Sequence, residues 1–291
     1  MTPFRFAPTP GCLAGILALM AAFATGCGPS SAPQNTAQVP QDEIQGPAGR
    51  LHVDDGGVGG VPVVFVHSYA GSGAHWANQL SHLRASRRAV AFDLRGHGES
   101  EAPASNDYAV DALASDIAAA VDSLKIERFI LVGHSMGGSA SIAYAGAHPG
   151  RVAGLVLVGT PGKSDPAQAA KVMGAMEAQY DTVSEGYWKS LLADAKPEVE
   201  TRVREDMKRV PKEPSLAMIR AVFAYDPMPA LAAYPGPKLI IDTPHGDGPT
   251  ALHNQVPEVP RKVIEGTSHW VQMDEPDQFN TALDEFLATA R

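Results

Sequence analysis

Ser135 lies in Gly133-His134-Ser135-Met136-Gly137, with a glycine two residues to either side. The apolar run of residues 129–132 leads into it, and a helical pattern, Ser139 to His148, leads out. Strand, sharp turn and helix, with a hydroxyl at the turn, is an arrangement that suits nucleophilic chemistry. Glycines lack Cβ atoms and so let strand and helix close on a turn that strains the serine's backbone. The hydroxyl then stands clear of the sheet, at the start of a helix whose dipole favours developing negative charge. A serine hydroxyl is a weak nucleophile, so it needs a base, and the base needs an acid to orient it.

Elements able to position such a serine are legible on both sides of it. Residues 50–54 read as a short first strand, and Val61 to Val66 as a continuous apolar strand buried on both faces. A loop, residues 67–73, precedes a helix expected over Ala74 to Leu83. Ala89 to Phe92 is the next buried strand, opening into residues 93–100 and then a helix from Tyr108 to Leu124. Strands are expected again at Leu155 to Val158, Lys238 to Ile241 and Arg261 to Ile264, with a closing helix from Pro276 to Ala290. Strands alternating with helices imply right-handed crossovers and a mostly parallel sheet. Between Gly159 and Pro237 no buried strand appears. Residues 167–180, 184–195, 198–210 and 214–223 read as amphipathic helices instead. A single crossover has no need of roughly 75 residues.

This ordered set resembles the α/β-hydrolase fold, with Ser135 at its nucleophile elbow and residues 160–236 as an all-helical cap inserted in a domain of residues 47–291. The resemblance implies the chain order serine, then aspartate or glutamate, then histidine. Residues 265–270, Glu-Gly-Thr-Ser-His-Trp, stand before a proline-containing helix start and match the family's final stretch, which makes His269 the base. The acid belongs in the loop after the penultimate strand, residues 242–249, which holds two aspartates. Asp247, between two glycines, best matches the family's turn. Asp242 at the strand end is the alternative, and Asp165 a third position that some members use. The oxyanion hole is implied at the backbone N–H groups of Met136 and Tyr69. Ser68 stands where the family carries glycine, a departure that bears on the Tyr69 donor.

The remaining polar residues near these motifs read as structural. His134 adjoins the nucleophile, but its side chain cannot turn back to act as base and is read as packing beside the elbow. His67 is read as bracing its loop. Asp93, Arg95, Gly96 and Gly98 resemble the family's structural turn. His97 has no second ligand at a paired spacing, so no metal is expected, and no cofactor is implied.

The 291 residues are 44% hydrophobic and 19% charged, with a formal net charge of −9. This is ordinary globular composition, and without a basic cluster a nucleic-acid partner is not expected. The two cysteines, Cys12 and Cys27, both precede the folded body and leave no disulfide framework within it. Residues 11–24 form an apolar core of signal-peptide length and end in Ala24-Thr-Gly-Cys27, which resembles the lipobox of bacterial lipoproteins. The expectation is therefore a signal peptide over residues 1–26, lipidation at Cys27 and a disordered tether over residues 27–46. That resemblance implies export and anchoring in the cell envelope, at the outer membrane, with a secreted or periplasmic protein as the alternative if Cys27 is not lipidated.

The activity implied is serine hydrolysis of a carboxylic ester or similar acyl bond in a small-molecule substrate. A cofactor-free perhydrolase, a lactonase and a carbon–carbon bond hydrolase could run on the same triad. From another class, the rival is a tethered binding protein whose triad is idle. The cap aromatics Tyr180, Tyr187, Trp188, Phe223 and Tyr225 are candidates for selecting the substrate, or equally for the cap's own core.

Overall fold

A computed structural model describes residues 42–248 and 250–290. The expectations for the signal peptide, for lipidation at Cys27 and for most of the tether lie outside these residues. Eight strands form one sheet in the order β1-β2-β4-β3-β5-β6-β7-β8. They are β1 (Glu43–Gly46), β2 (Gly49–Gly56), β3 (Val63–Val66), β4 (Ala89–Phe92), β5 (Phe129–His134), β6 (Val152–Val158), β7 (Lys238–Asp242) and β8 (Arg261–Val263). The β1–β2 and β2–β4 pairs are antiparallel and every later pair is parallel.

The apolar runs behave as strands covered on both faces. Val63 and Phe65 enter one core and Val64 and Val66 the other; Ile130 and Val132 likewise oppose Leu131. This is the period-two alternation of a pleated strand. One core lies beneath helices α2 (Val110–Ser123) and α3 (Met136–Ala147), the other beneath α1 (Ala77–Leu83) and the closing helix. Each Val or Phe fully buried in this way contributes about 1.5–3 kcal/mol.

The cap consists of α4 (Pro166–Ala178), α5 (Tyr180–Leu191), α6 (Pro197–Met207), α7 (Lys212–Ala224) and α8 (Met228–Ala233). Two short helices, α9 (Leu252–Gln255) and α10 (Val271–Asp274), follow β7 and β8, and α11 (Pro276–Thr289) closes the chain.

Several boundaries differ from the sequence expectation. The tether was drawn to residue 46, yet Glu43–Gly46 already pairs with β2. Its single apolar residue, Ile44, shows no alternation to read, although Ile44 is buried. The helix expected from Ala74 begins as a 3₁₀ turn, Gly73–Trp76. The helix after Ser135 starts three residues earlier than expected, at Met136, and α8 is too short to display a helical period.

Register brings the site together. Val66 pairs with Gly133, His134 with Val158, and Val158 with Ile241. The carboxyl ends of β3, β5, β6 and β7 therefore finish at one level, and the segments starting at His67, Ser135, Gly159 and Thr243 leave from the same edge. In open parallel sheets this is the edge at which ligands bind.

Candidate active site

Ser135 has φ 52° and ψ −115°, a backbone that L-residues with side chains seldom adopt, and it caps α3. Its N–H donates to the Val158 carbonyl at 2.8 Å, fixing the elbow to the end of β6. The flanking glycines are required by close approach. A Cβ on Gly133 would strike the Ser141 hydroxyl and the Gly137 carbonyl, and one on Gly137 would strike the His67 and Val66 carbonyls. The start of α3 is thus pressed against the end of β3, which sets the Met136 N–H beside the loop that carries Tyr69. As the first residue of its helix, Met136 has no intrahelical acceptor for that N–H. The Tyr69 N–H likewise donates to no acceptor among the described residues.

That loop is braced as expected. The His67 Nδ1–H donates to the Ser68 carbonyl at 2.7 Å, and Nε2 accepts the Leu94 N–H at 2.9 Å. Burial pushes the His67 ring down to about 3, so it stays neutral. Ser68 is buried, with its hydroxyl 3.3 Å from the Tyr69 carbonyl, and Ala70 takes a left-handed φ of 52°. The turn at residues 93–100 is structural as read. Asp93 accepts from the Gly73 and Glu99 N–H groups, and Arg95 forms a buried ion pair with Asp116 at 2.7 Å. His97 donates from Nδ1 to the Arg95 carbonyl.

His269 reaches the same edge from the loop after β8. A Cβ on Gly159, the residue after β6, would stand 2.8 Å from its Cε1 and 3.0 Å from its Nδ1. The His269 N–H donates to the Leu191 carbonyl at 2.9 Å, and its own carbonyl accepts from His134 Nε2–H at 2.9 Å. Burial pushes the imidazole down to about 4. It is therefore neutral at pH 7, the state a general base requires. No carboxylate is hydrogen-bonded to this imidazole among the described residues.

The three candidate acids are occupied elsewhere. Asp165 caps α4, accepting the Gln168 N–H at 2.8 Å. Asp242 is buried at the end of β7, where it accepts from His253 Nδ1 at 3.1 Å and Arg261 Nε at 3.0 Å. Burial raises the Asp242 carboxyl pKa despite those two partners. Asp247 is two-thirds exposed and pairs with His253 Nε2 at 2.8 Å and Arg261 at 3.2 Å. His253 and Arg261 were not singled out in the sequence. The only available signal was a histidine and an arginine within twenty residues of both aspartates.

The cap is attached to the loops that carry Tyr69 and His269. Trp188 of α5 stacks on Tyr69, with ring centroids 5.4 Å apart, and on Trp270, at 5.9 Å. The Tyr69 hydroxyl donates to Ser215 of α7 at 2.8 Å. His75, beyond the Tyr69 loop, meets Asp206 of α6 at 2.9 Å in a buried pair. Asp274 takes the Ser268 N–H and hydroxyl on one oxygen and the Lys196 N–H on the other. The cap aromatics therefore divide. Trp188 is core and a bridge between the two loops, whereas Phe223 and Tyr225 line a cavity of about 440 Å³ between α4 and α7.

The comparisons agree with this geometry. A sequence model of the alpha/beta hydrolase fold family matches residues 61–218. The chain is 33% identical over 274 residues to the dihydrolipoyllysine-residue acetyltransferase component of the acetoin cleaving system of Pseudomonas putida, covering 84% of this chain and 71% of that one. It is 38% identical over 140 residues to 2-hydroxymuconate semialdehyde hydrolase of Pseudomonas sp. (strain CF600), covering 47% of this chain and 48% of that one. A thermophilic esterase from Thermogutta terrifontis superposes with a TM-score of 0.73 at 25% identity, over 85% of this chain and 98% of the esterase. With its strand order, its strained elbow serine and a matched stretch of more than half its length, this chain belongs to the α/β-hydrolase fold family.

Proposed function

We propose that the protein is a serine hydrolase that cleaves a carboxylic ester or similar acyl bond in a small molecule. Ser135 Oγ attacks the acyl carbon while the neutral His269 imidazole takes its proton. The N–H groups of Met136 and Tyr69 receive the oxyanion. The imidazolium then protonates the leaving alkoxide, and water, deprotonated by the same ring, releases the acid from the acyl-enzyme. Asp247, on a loop with glycine on each side, is the proposed carboxylate of the triad. To reach His269 it must leave Arg261 and His253. No cofactor enters this scheme, and the lipobox-like residues 24–27 support attachment of the enzyme to the cell envelope through Cys27.

The observation that carries this reading is the Ser135 backbone, strained at φ 52° at the cap of a helix whose first N–H, that of Met136, donates to no acceptor among the described residues. Such strain is retained where the surrounding structure enforces it and is concentrated at functional sites. The separation of Asp247 from His269 favours one second reading, a binding protein with an idle serine.

Labelling by a fluorophosphonate probe, beside turnover of p-nitrophenyl esters of graded chain length, separates the two. The hydrolase reading expects wild type to be labelled and Ser135→Ala not, with turnover falling about 10⁴-fold or more in the variant. A folded wild type that neither labels nor turns over any ester would leave the binding-protein reading standing.

A further inference from the structure

The His269 loop has a partner that the catalytic scheme leaves unused. His134 is completely buried one residue before the nucleophile, and its ring centroid lies 4.7 Å from that of His269. Its Nε2 faces the His269 carbonyl at 2.9 Å, and its Nδ1 faces Gln272 Nε2 at 3.2 Å. A carbonyl only accepts and an amide NH₂ only donates. The two contacts together admit one state of the ring: neutral, with the proton on Nε2. Burial first, and then the neighbouring His269, His75 and His67 rings, push its pKa well below the usual histidine value. Gln272 is held in turn, since its backbone carbonyl accepts from Gln79 Nε2 at 3.1 Å.

We propose that His134, kept in this tautomer by Gln272, is the positioning residue of the base, and that it fixes His269 relative to Ser135. The inference rests on the reading of Ser135 and His269 as nucleophile and base. The physical case is one of leverage. The His269 imidazole has no hydrogen bond of its own among the described residues, so its placement depends on its backbone and on packing against Gly159, Trp270 and the His134 ring. One end of its peptide is tied to the cap through Leu191. The other is tied to the residue bonded directly to Ser135. Any shift of the elbow therefore moves the base with it, and the distance across which the proton passes is conserved. Neutrality matters too, because a cationic His134 would oppose the imidazolium that forms on His269 during acylation.

The test compares His134→Leu, which removes both contacts, with His134→Gln, whose side-chain amide can still reach the His269 carbonyl. We expect His134→Leu to lower kcat by about tenfold to a hundredfold with little change in KM, the scale of a misplaced catalytic group. His134→Gln should recover most of that loss, and Gln272→Leu should fall between them. Melting temperatures show whether each variant is folded. Nitrogen-15 spectra of the histidine rings give a readout independent of turnover. In wild type His134 should appear as the Nε2–H tautomer, and in His134→Leu the His269 titration should move up towards that of a free imidazole. A folded His134→Leu with unchanged kcat and an unmoved His269 titration would overturn the proposal. Equal losses in Leu and Gln variants would do the same. A wild type without Ser135-dependent turnover would count against the hydrolase reading, and the ring spectra would still decide this one.

Discussion

The two sides of the site are held in opposite ways. On the side of the proposed base, His134 and His67 are buried, His269 is half-buried, and all three are neutral at pH 7, fixed by backbone carbonyls, an amide and close-packed glycines. On the side of the proposed acid, Asp242 and Asp247 share the Arg261 guanidinium and the His253 ring between them. Neutral contacts of the first kind are short-ranged and geometrically strict. Ion pairs of the second kind are tolerant of geometry, and for an exposed carboxylate such as Asp247 they are worth only about 0–1 kcal/mol. His269, the proposed base, is thus set by packing, whereas Asp247, the proposed acid, can exchange partners at small cost.

Three changes break or sharpen this contrast. The largest effect is expected at Asp247. If it moves onto His269 during turnover, Asp247→Asn lowers kcat by about 10³-fold or more, the scale of a lost triad carboxylate. A loss under about threefold, measured on the best ester of the panel, would make the acid loop scaffold only. Next comes Gly159→Ala. Its new methyl must displace the His269 ring, and the residue also sits at φ 50°, so kcat should fall about a hundredfold. Unchanged steady-state kinetics in a folded Gly159→Ala would mean that the base is less tightly set than its packing indicates.

The smallest effect per unit change is the response to acid. His67 and His97 are pushed down to about 3 and His269 to about 4, in each case chiefly by burial. The unfolded chain protonates these rings near 6.5 and the folded chain does not, so the unfolded state binds more protons between those values. Their contribution is undiminished above pH 6.5 and is lost as pH falls towards 3–4. Each ring removes up to about 1.4 kcal/mol per pH unit. Urea unfolding at pH 7, 6 and 5 should show midpoints falling with pH. A midpoint constant down to pH 5 would mean that the rings are solvated.

How much of this was legible in the sequence depended on how local the signal was. Ser135, with its glycines, is a five-residue pattern between a strand and a helix, and the elbow stands where it was read. His269 was read from the stretch before α11, and the structure brings it to the edge where Ser135 stands; His67 was legible as a loop brace. Other features depend on contacts between distant segments. Tyr69, Trp188 and Trp270 stack across more than eighty residues between neighbours in the stack, with no shared period to connect them. The acid loop was recognisable as a loop with two aspartates. Its partners His253 and Arg261 come from α9 and β8, and their pairing depends on how those elements fold back. His134 was read as packing. Its hydrogen bond to the His269 carbonyl spans 135 positions and becomes apparent only when the last strand and its loop are in place.

The hydrogen bond from the His269 N–H to the Leu191 carbonyl ties the helical insertion to the loop after β8. Here the last turn of α5 supplies an acceptor to the backbone of His269, the proposed base, and the same helix carries the Trp188 ring that rests on Tyr69. A transplanted cap lacking that carbonyl at that position would alter catalysis as well as substrate choice. On the proposed function, the boundary between specificity module and engine runs inside α5, not at its ends.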